Sequence, residues 1–408
     1  MADDFETSPA YNPRMSSSQS RDPAPTQGLA PAAFPSAPTE EQAAGNSSPV
    51  AAPASASARL PGIDVARGLA VLLMLQTHAF DGWVSPSAKA GLGYAFSRAL
   101  ANIPAPLFLL LAGVGLSLGA QAAATRGQSD AQLRRQFMRR GLSLLGWGYL
   151  VSAIYVAIEW PVPRADLPSL ILRADILHCI GLSLLLCAAL VLRRRWLLWR
   201  VLALVGLSLF LSVYIGRHRL VGLPGGLAPL AALFCDVPPY TRFPLLPLIG
   251  FCAVGVLLGE RLLVRRPSPQ RLLAWLGAAV AVALVCGLLT RATLQHFGGV
   301  LRRSHPAVVW NFGDGCARAV ACLAIGGLLA SLVQPGAWGL GILRRLGGGS
   351  LLAYALHIPF CYGRLARPLA GRLTMATALA CLLLLGAAVY GALVLRDALR
   401  HRRRRSVG

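Results

Sequence analysis

The first long apolar stretch of the chain contains RGLAVLLMLQTH at residues 67–78. Arg67 and His78 are eleven positions apart, and at about 100° per residue eleven steps bring a helix back to within roughly 20° of its starting direction. The two side chains therefore share a face and lie about 16 Å apart along the axis, half a bilayer core. Asp64 and Asp81 fall near the same stripe, three residues before the arginine and three after the histidine. Because a charge inside a spanning helix is costly and usually faces a cavity or a partner, this helix is predicted to line a polar pathway through a membrane.

The composition is typical of a polytopic membrane protein. Hydrophobic residues make up 55% of the 408 residues and charged residues 13%, and several runs reach the roughly 20 apolar residues that cross a hydrocarbon core. We predict an all-α fold with about ten transmembrane helices, at residues 62–80, 103–123, 140–159, 170–192, 197–216, 243–262, 272–290, 314–333, 350–369 and 373–396. The apolar segment 220–235 is broken by Pro-Gly-Gly, which favours a re-entrant or interfacial segment and leaves an eleventh span open.

Two tails flank this transmembrane domain, which covers residues 59–400. Residues 1–58 are rich in Ala, Pro and Ser and cannot bury a core, so they are predicted to be a disordered cytoplasmic tail. Residues 401–408 form a short basic tail. Arginines supply most of the net charge of +23 and cluster between alternate apolar runs, a pattern of topology signals rather than of nucleic-acid binding. Placing those clusters in the cytoplasm puts both termini inside, with Arg67 near the inner end of the first helix and His78 near its outer end.

The sequence contains no motif for a metal site or for several common enzyme classes. Its nine cysteines are scattered, with no CxxC or other ligand spacing, so we predict neither a disulfide framework nor a metal site. It also lacks a Walker loop, an HExxH motif and a Rossmann fingerprint, and its single GxSxG match, at 115–119, lies inside an apolar run rather than after a strand. ATP-driven transport and soluble hydrolase chemistry are therefore not supported.

His78 is the leading catalytic candidate, because an imidazole titrates near neutrality and can take a proton from a hydroxyl or an amine. Asp81, one turn later, can orient it or stabilise its charge. Arg67 carries a permanent planar charge suited to phosphate or carboxylate recognition. Structural alternatives stay open: a hydrogen bond at the membrane interface for His78, and an ion pair of Arg67 with Asp64 or Asp314.

Three further polar positions interrupt apolar runs. Asp175 and His178 are three residues apart, on one helical face near the outer surface. His357 lies inside the ninth predicted span, where a functional role and a packing role both remain open. Asp314 and Arg318 are four residues apart at the start of the eighth span, a spacing that favours a structural ion pair over catalysis.

A stretch of small residues, LFLLLAGVGLSLGA at 107–120, contains Gly113, Gly115 and Gly119. Small residues at such spacing let helices approach closely. We therefore expect a close helix crossing here, with a passage for a cofactor tail between helices as the second interpretation.

Five blocks of the sequence resemble one family in the same order. They are RLPGIDVARGLAVLLMLQTHAFD at 59–81, PAPLFLLLAGVGLSL at 104–118, ILRADILHCIGLSLLL at 171–186, FPLLPLIGFCAVGVLLGE at 243–260 and GGGSLLAYALHIPF at 347–360. Over about residues 59–400 the chain thereby resembles the bacterial membrane proteins related to the catalytic domain of heparan-alpha-glucosaminide N-acetyltransferase. The spacing from Arg67 to His78 is also similar to the arginine–histidine signature of the broader transmembrane acyltransferase superfamily.

The resemblance implies an acyltransferase of the bacterial inner (plasma) membrane that moves an acetyl or acyl group from cytoplasmic acetyl-CoA to a glycan or amino sugar outside. It implies His78 with Asp81 as the catalytic pair, with the histidine acting as general base or acyl carrier, and Arg67 with Asp64 on the coenzyme. The expected partners are acyl-CoA, the acceptor and membrane lipid; nucleic acid is not expected, and a homo-oligomer is left open. The main alternative is a solute or lipid transporter that uses the intramembrane Asp, Arg and His residues as a relay or gate. A non-enzymatic membrane scaffold is the third interpretation.

Overall fold

A computed structural model describes residues 60–192, 195–218, 226–262, 266–297, 307–334 and 336–405. Apart from two isolated bridges, regular structure in these ranges is helical, which confirms the all-α prediction. The helices are α1 Pro61–Trp83, α2 Pro86–Lys89, α3 Leu92–Ala101, α4 Pro104–Thr125, α5 Asp130–Glu159, α6 Leu167–Ile171, α7 Ile176–Leu192, α8 Leu197–His218, α9 Ala228–Ala232, α10 Leu245–Arg261, α11 Pro269–Phe297, α12 Ala307–Leu332, α13 Trp338–Gly348, α14 Ser350–Cys361 and α15 Met375–Arg405. The predicted tail 1–58 and residues 220–225 of the segment 220–235 lie outside the described ranges.

Seven stretches of helix within the described ranges are long and apolar enough to cross a membrane: Pro61–Trp83, Leu92–Thr125, Asp130–Glu159, Leu197–Ile215, Pro269–Thr293, Val308–Leu332 and Met375–Arg403. The chain is therefore an integral membrane protein. Each of the ten predicted spans contains a helix, but α7, α10 and α14 are only 17, 17 and 12 residues long. These three fall short of the roughly 20 residues that a full crossing needs.

The ninth predicted span, 350–369, extends too far. α14 contains Pro359 and ends at Cys361, after which Tyr362 is extended and Gly363 has a φ of +82°. A proline removes one helical N–H, and a left-handed glycine commonly ends a helix. The residues that follow therefore form a loop, and this loop returns to the end of α1.

α1 lies inside the bundle, among α4, α12, α13 and α14. Its Val65 and Ala70 are fully buried. By contrast α8, α11 and α15 leave large apolar side chains exposed, including Phe210, Leu288 and Leu384. Exposed apolar area on this scale marks an interaction surface, and in a membrane protein we expect it to face lipid. Arg67 and His78 of the charged stripe are thus partly buried inside the bundle and Asp81 is exposed at its end, while the outer helices carry the apolar surface.

Small residues let the enclosed helices approach closely, as the glycine stretch predicted. Gly113 of α4 lies directly against Cys252 of α10. On the other side of the bundle Gly326 of α12 faces α1, and an added Cβ would lie 2.8 Å from both the N and the Cβ of Ala66. Real Cβ atoms essentially never come so close to another heavy atom, so a side chain on α12 at this point would have to move α1. The crossing therefore fixes the position of the helix that carries the charged stripe.

Candidate active site

A cavity of about 370 Å³ lies between α1, α4, α5, α7 and α14; we call it the outer cavity. Its polar wall includes His78, Tyr155, Asp175, Arg242 and Tyr362. The rest of its lining is mostly apolar and includes Met74, Phe108, Leu144, Ile180, Leu351 and Ile358. An apolar pocket with a few converging polar groups is the usual composition of a small-molecule site.

His78 is bonded to a tyrosine of the loop after α14. Its Nδ1 lies 3.0 Å from the Tyr362 hydroxyl, and that hydroxyl donates to Asp81 Oδ2 at 3.1 Å. Burial and the adjacent Asp81 carboxylate raise the pKa of Tyr362, so the phenol stays protonated. Because its single proton goes to Asp81, the phenol oxygen accepts from the Nδ1–H of His78. Nε2 of His78 then carries the lone pair, the form in which an imidazole accepts a proton.

Hydrogen bonds fasten this loop to the end of α1. The indole Nε1 of Trp83 donates to the Phe360 carbonyl at 3.0 Å, and the backbone N–H of Leu373 donates to the Trp83 carbonyl at 2.9 Å. Both ends of the loop are thereby held at the last turn of α1. This attachment explains how Tyr362 comes to lie beside His78.

His357, the predicted candidate in the ninth span, also lies next to His78. The centroids of the two imidazole rings are 5.1 Å apart. His357 is fully buried, and its Nδ1 lies 3.0 Å from the Ala353 carbonyl, while its Nε2 has no hydrogen-bond partner among the described residues. It packs behind His78 and does not contribute to the described lining of the outer cavity.

Asp175 and His178 have different surroundings although they are neighbours in sequence. Asp175 lines the outer cavity and accepts a hydrogen bond from the Tyr354 hydroxyl at 2.5 Å. His178 is fully buried, with its ring centroid 4.3 Å from that of Tyr149, and its Nδ1 accepts the backbone N–H of Asp175 at 3.1 Å. His178 therefore supports the backbone at Asp175, and of the two only Asp175 faces the cavity.

Two arginines lie at the same polar end of the outer cavity. A backbone bridge brings the segment before α10 alongside Ala174, so Arg242 and Arg173 both reach the cavity wall. The guanidinium carbon of Arg242 lies 5.9 Å from the centre of the Tyr362 ring, a cation–π distance. This end of the cavity thus combines cationic donors with the carboxylate of Asp175.

A second cavity, of about 1200 Å³, lies where α1 begins and the last turns of α15 pass; we call it the arginine vestibule. Its lining includes seven arginines and two carboxylates: Arg67, Arg140, Arg266, Arg344, Arg345, Arg396, Arg400, Asp64 and Asp397. Asp397 pairs with Arg396 at 2.7 Å and with Arg345 at 3.5 Å. The arginines still outnumber the carboxylates, so the vestibule is a positively charged basin that attracts anions.

Arg67 and Arg140 line both cavities and lie between them; we call this place the neck. Nη1 of Arg67 pairs with Asp64 Oδ1 at 3.0 Å, so the ion pair considered for Arg67 is made with Asp64 and not with Asp314. Arg140 makes no ion pair with the part of the chain that the structure describes. Beside it Gly115 lines the vestibule, and an added Cβ would make only an ordinary contact, 3.9 Å from Nη1 of Arg140.

Asp314 and Arg318 lie away from both cavities. Nε of Arg318 donates to the two carboxylate oxygens of Asp314 at 2.8 and 2.7 Å. Nη1 of Arg318 also donates to the Ala99 carbonyl at 2.8 Å. These contacts tie α12 to the end of α3 and form the structural ion pair that the sequence favoured.

The described ranges hold no group of three or more His, Cys, Asp or Glu side chains arranged to bind a metal ion. The cysteines in those ranges are free thiols, most of them buried. Buried thiols pack as small apolar groups, and none of these cysteines lines either cavity.

The sequence does not single out several residues of this site, among them Arg140, Arg242, Tyr354 and Tyr362. Arg140 is the last residue of an arginine-rich connection, so the sequence alone indicates a topology signal and not a site residue. Arg242 precedes the sixth predicted span by one residue, where a site arginine and a membrane-boundary arginine look alike. For Tyr362 the one usable signal is Pro359, because a proline inside an apolar run indicates that the helix can end before Tyr362.

One family model matches residues 59–301, more than half of the chain. Its description is heparan-alpha-glucosaminide N-acetyltransferase, catalytic. The matched range includes Arg67, His78, Asp175 and Arg242 and ends before Tyr362. No curated protein matches the chain. The family match confirms the resemblance seen in the five sequence blocks, and the chain therefore belongs to the family of the heparan-alpha-glucosaminide N-acetyltransferase catalytic domain, in which membership implies an acetyltransferase embedded in a membrane.

Proposed function

We propose that the chain transfers an acetyl group from acetyl-CoA, bound in the arginine vestibule, to a hydroxyl or amine of a glycan or amino sugar at the opposite membrane face. The observation that carries this proposal is the pair of cavities that share Arg67 and Arg140 in their linings, with His78 in the outer one. A transferase whose donor and acceptor lie on opposite sides of a membrane needs a path between them, and we propose that it runs past these two arginines.

The vestibule suits a donor that carries phosphate groups. Its arginines offer planar guanidinium groups, which bind phosphates through paired hydrogen bonds. In acetyl-CoA the phosphates belong to the nucleotide half, and the thioester lies at the end of a long uncharged arm. We assign the phosphates to the vestibule and the arm to the neck between Arg67 and Arg140. About 16 Å along α1 separates Arg67 from His78, and this is the distance that the arm has to cover.

His78 is the residue we assign to proton transfer. Its Nε2 takes the proton of the acceptor hydroxyl or amine while the acceptor oxygen or nitrogen attacks the acetyl carbonyl carbon. The carbon–sulfur bond breaks, and the imidazolium returns the proton to the departing CoA thiolate. In a two-step route Nε2 itself attacks the carbonyl carbon, and the carbon–sulfur bond breaks to release the CoA thiolate. The acceptor then attacks the acetyl-imidazole, the carbon–nitrogen bond breaks, and the acceptor's proton passes by way of the freed Nε2 to the thiolate. Both routes require the Nε2 lone pair, and the geometry favours neither over the other.

The polar end of the outer cavity suits an acceptor rich in hydroxyl and amino groups. Asp175 offers a carboxylate that can accept from an ammonium or a hydroxyl group. Arg173, Arg242 and Tyr155 offer donors to oxygen atoms. A sugar presents both kinds of group within a few ångströms, which is why we favour a glycan or an amino sugar as the acceptor.

The orientation follows from the charge distribution. Arginine-rich connections remain on the cytoplasmic side of a membrane, so we assign the vestibule to the cytoplasm and the outer cavity to the opposite face. Both termini are then cytoplasmic. The family resemblance favours a bacterial inner membrane, where acetyl-CoA is available on the vestibule side.

Acetyl-CoA binding and CoA release by the purified protein test the proposal, with glucosamine as the acceptor probe. We expect His78→Ala to bind acetyl-CoA normally and to lose about 10²- to 10⁴-fold in turnover, the usual contribution of a general base. Arg67→Ala should weaken binding. Leu288→Ala, at an exposed apolar position of α11, is the control and should behave as wild type. A folded wild-type protein that does not bind acetyl-CoA would refute the proposal and leave the transporter as the working alternative.

A further inference from the structure

We infer that Tyr362 is a positioning residue, which couples Asp81 to His78 and holds the imidazole with Nε2 free for the reaction. This inference rests on the proposed function, because it assumes that His78 carries the chemistry. It adds a residue that lies beyond the range of the family match and is not among the candidates that the sequence provides.

The coupling of Asp81 to His78 follows from the number of protons available to the imidazole, the Tyr362 phenol and the carboxylate. A phenol has one proton, and Tyr362 donates it to Asp81 Oδ2 at 3.1 Å. The contact of 3.0 Å between the same hydroxyl and Nδ1 of His78 can then be a hydrogen bond only if Nδ1 carries the proton. Tyr362 thus selects one of the two neutral tautomers of His78.

Asp81, at the far end of this chain of hydrogen bonds from His78, is itself held in place. The Tyr94 hydroxyl donates to Asp81 Oδ1 at 3.4 Å, and Nζ of Lys89 donates to the Asp81 backbone carbonyl at 2.6 Å. The second oxygen of Asp81 is therefore left to the phenol of Tyr362. Asp81 was expected to orient His78 directly, whereas the structure inserts a tyrosine between them.

The ring of Tyr362 is fixed on two sides. It meets the imidazole of His78 edge to face, with centroids 5.5 Å apart and an interplanar angle of 79°. Arg242 lies over the ring at 5.9 Å. A phenol held in this way resists rotation, so it restrains the imidazole by packing and by hydrogen bonding together.

The neighbouring His357 is a further reason why the tautomer of His78 has to be fixed. Its ring lies 5.1 Å from that of His78 between centroids, and its buried Nε2 has no partner among the described residues. Without the bond to Tyr362, the imidazole of His78 could rotate or change tautomer. Nε2 would then carry the proton and could no longer serve as base or nucleophile.

Tyr362→Phe removes the hydroxyl and keeps the ring. We expect kcat for CoA release to fall about 10- to 100-fold, the loss typical when the hydrogen-bond partner that orients a functional histidine is removed, with KM for acetyl-CoA unchanged. The double variant Tyr362→Phe/Asp81→Asn should lose little more than either single variant, because the two residues act through one chain of hydrogen bonds. Tyr214→Phe is the matched control. It removes a hydroxyl from an exposed tyrosine of α8 that lines neither cavity, and we expect kcat to stay within about twofold of wild type.

A readout that does not depend on turnover is the tautomer itself. NMR of protein with isotopically labelled histidine nitrogen, with His78→Ala used for assignment, should show the Nδ1–H form of His78 in wild type and in Tyr214→Phe, and a mixture in Tyr362→Phe. Equal CoA release by wild type and His78→Ala would overturn the proposed function and this role with it. A Tyr362→Phe protein with wild-type kcat and an unchanged tautomer, in an enzyme that still requires His78, would overturn the role of Tyr362 alone.

Discussion

The crossing of α1 and α12 can be tested by adding one methyl group. In Gly326→Ala the new Cβ would lie 2.8 Å from Ala66 N, Ala66 Cβ and the Gly62 carbonyl oxygen, whereas ordinary contact begins at 3.4 Å. Two of these three atoms belong to the backbone of α1, so no side-chain rotation can relieve the clash. The helices have to separate by about half an ångström, and extra atoms in a well-packed core typically cost about 1–3 kcal/mol.

The control is Gly277→Ala on the neighbouring helix α11, where an added Cβ meets nothing within 4 Å. Both substitutions gain the same helix propensity, about 1 kcal/mol from Gly to Ala. The difference between the two variants therefore isolates the clash, and we expect Gly326→Ala to be about 1–3 kcal/mol less stable than Gly277→Ala.

Denaturant unfolding in detergent micelles, followed by tryptophan fluorescence, measures this difference. Since about 1.4 kcal/mol is a tenfold change in the folding equilibrium, the midpoints of the two variants should be clearly separated. A Gly326→Ala protein as stable as Gly277→Ala would refute the close crossing that positions α1.

The neck and the ion pairs supply three more predictions. Arg140→Gln should raise KM for acetyl-CoA about 10- to 100-fold, since a hydrogen bond to a charged group contributes about 1.5–3 kcal/mol; an unchanged KM would remove Arg140 from the donor path. Gly115→Trp should block turnover by filling the space beside the neck, whereas Gly115→Ala should not, and steady-state kinetics of the pair will decide. Arg318→Met should lower the thermal unfolding midpoint without changing KM, because Asp314 loses its partner and neither residue lines a cavity; a change in KM would contradict that assignment.

Much of the fold can be predicted because helix periodicity and apolar length are local properties. The eleven-residue spacing of Arg67 and His78 depends only on helix geometry, and both residues do line the outer cavity. The end of α14 could not be placed as well. Pro359 is compatible with a kinked span as well as with a helix end, and it is the left-handed Gly363 and the loop bonds to Trp83 that decide between them.

The site is harder to predict because its contacts join distant parts of the chain. Tyr362 is 284 residues from His78, and no spacing rule connects a loop residue to a helix that far away. Arg140 and Arg242 were present in the sequence as membrane-boundary charges, and only the packing of α5 and of the segment before α10 turns them toward the cavities. Asp314 and Arg318 show the opposite case, since a spacing of four residues on one helix was enough to favour their ion pair.

The central claim is that the acetyl group passes from the arginine vestibule to the outer cavity at His78. The most direct measurement uses sealed vesicles in which the protein is inserted in one known orientation, with radiolabelled acetyl-CoA on one side and glucosamine on the other. We predict labelled N-acetylglucosamine only when acetyl-CoA faces the vestibule, and none with His78→Ala. Equal labelling from either side, or labelling that survives His78→Ala, would contradict the account.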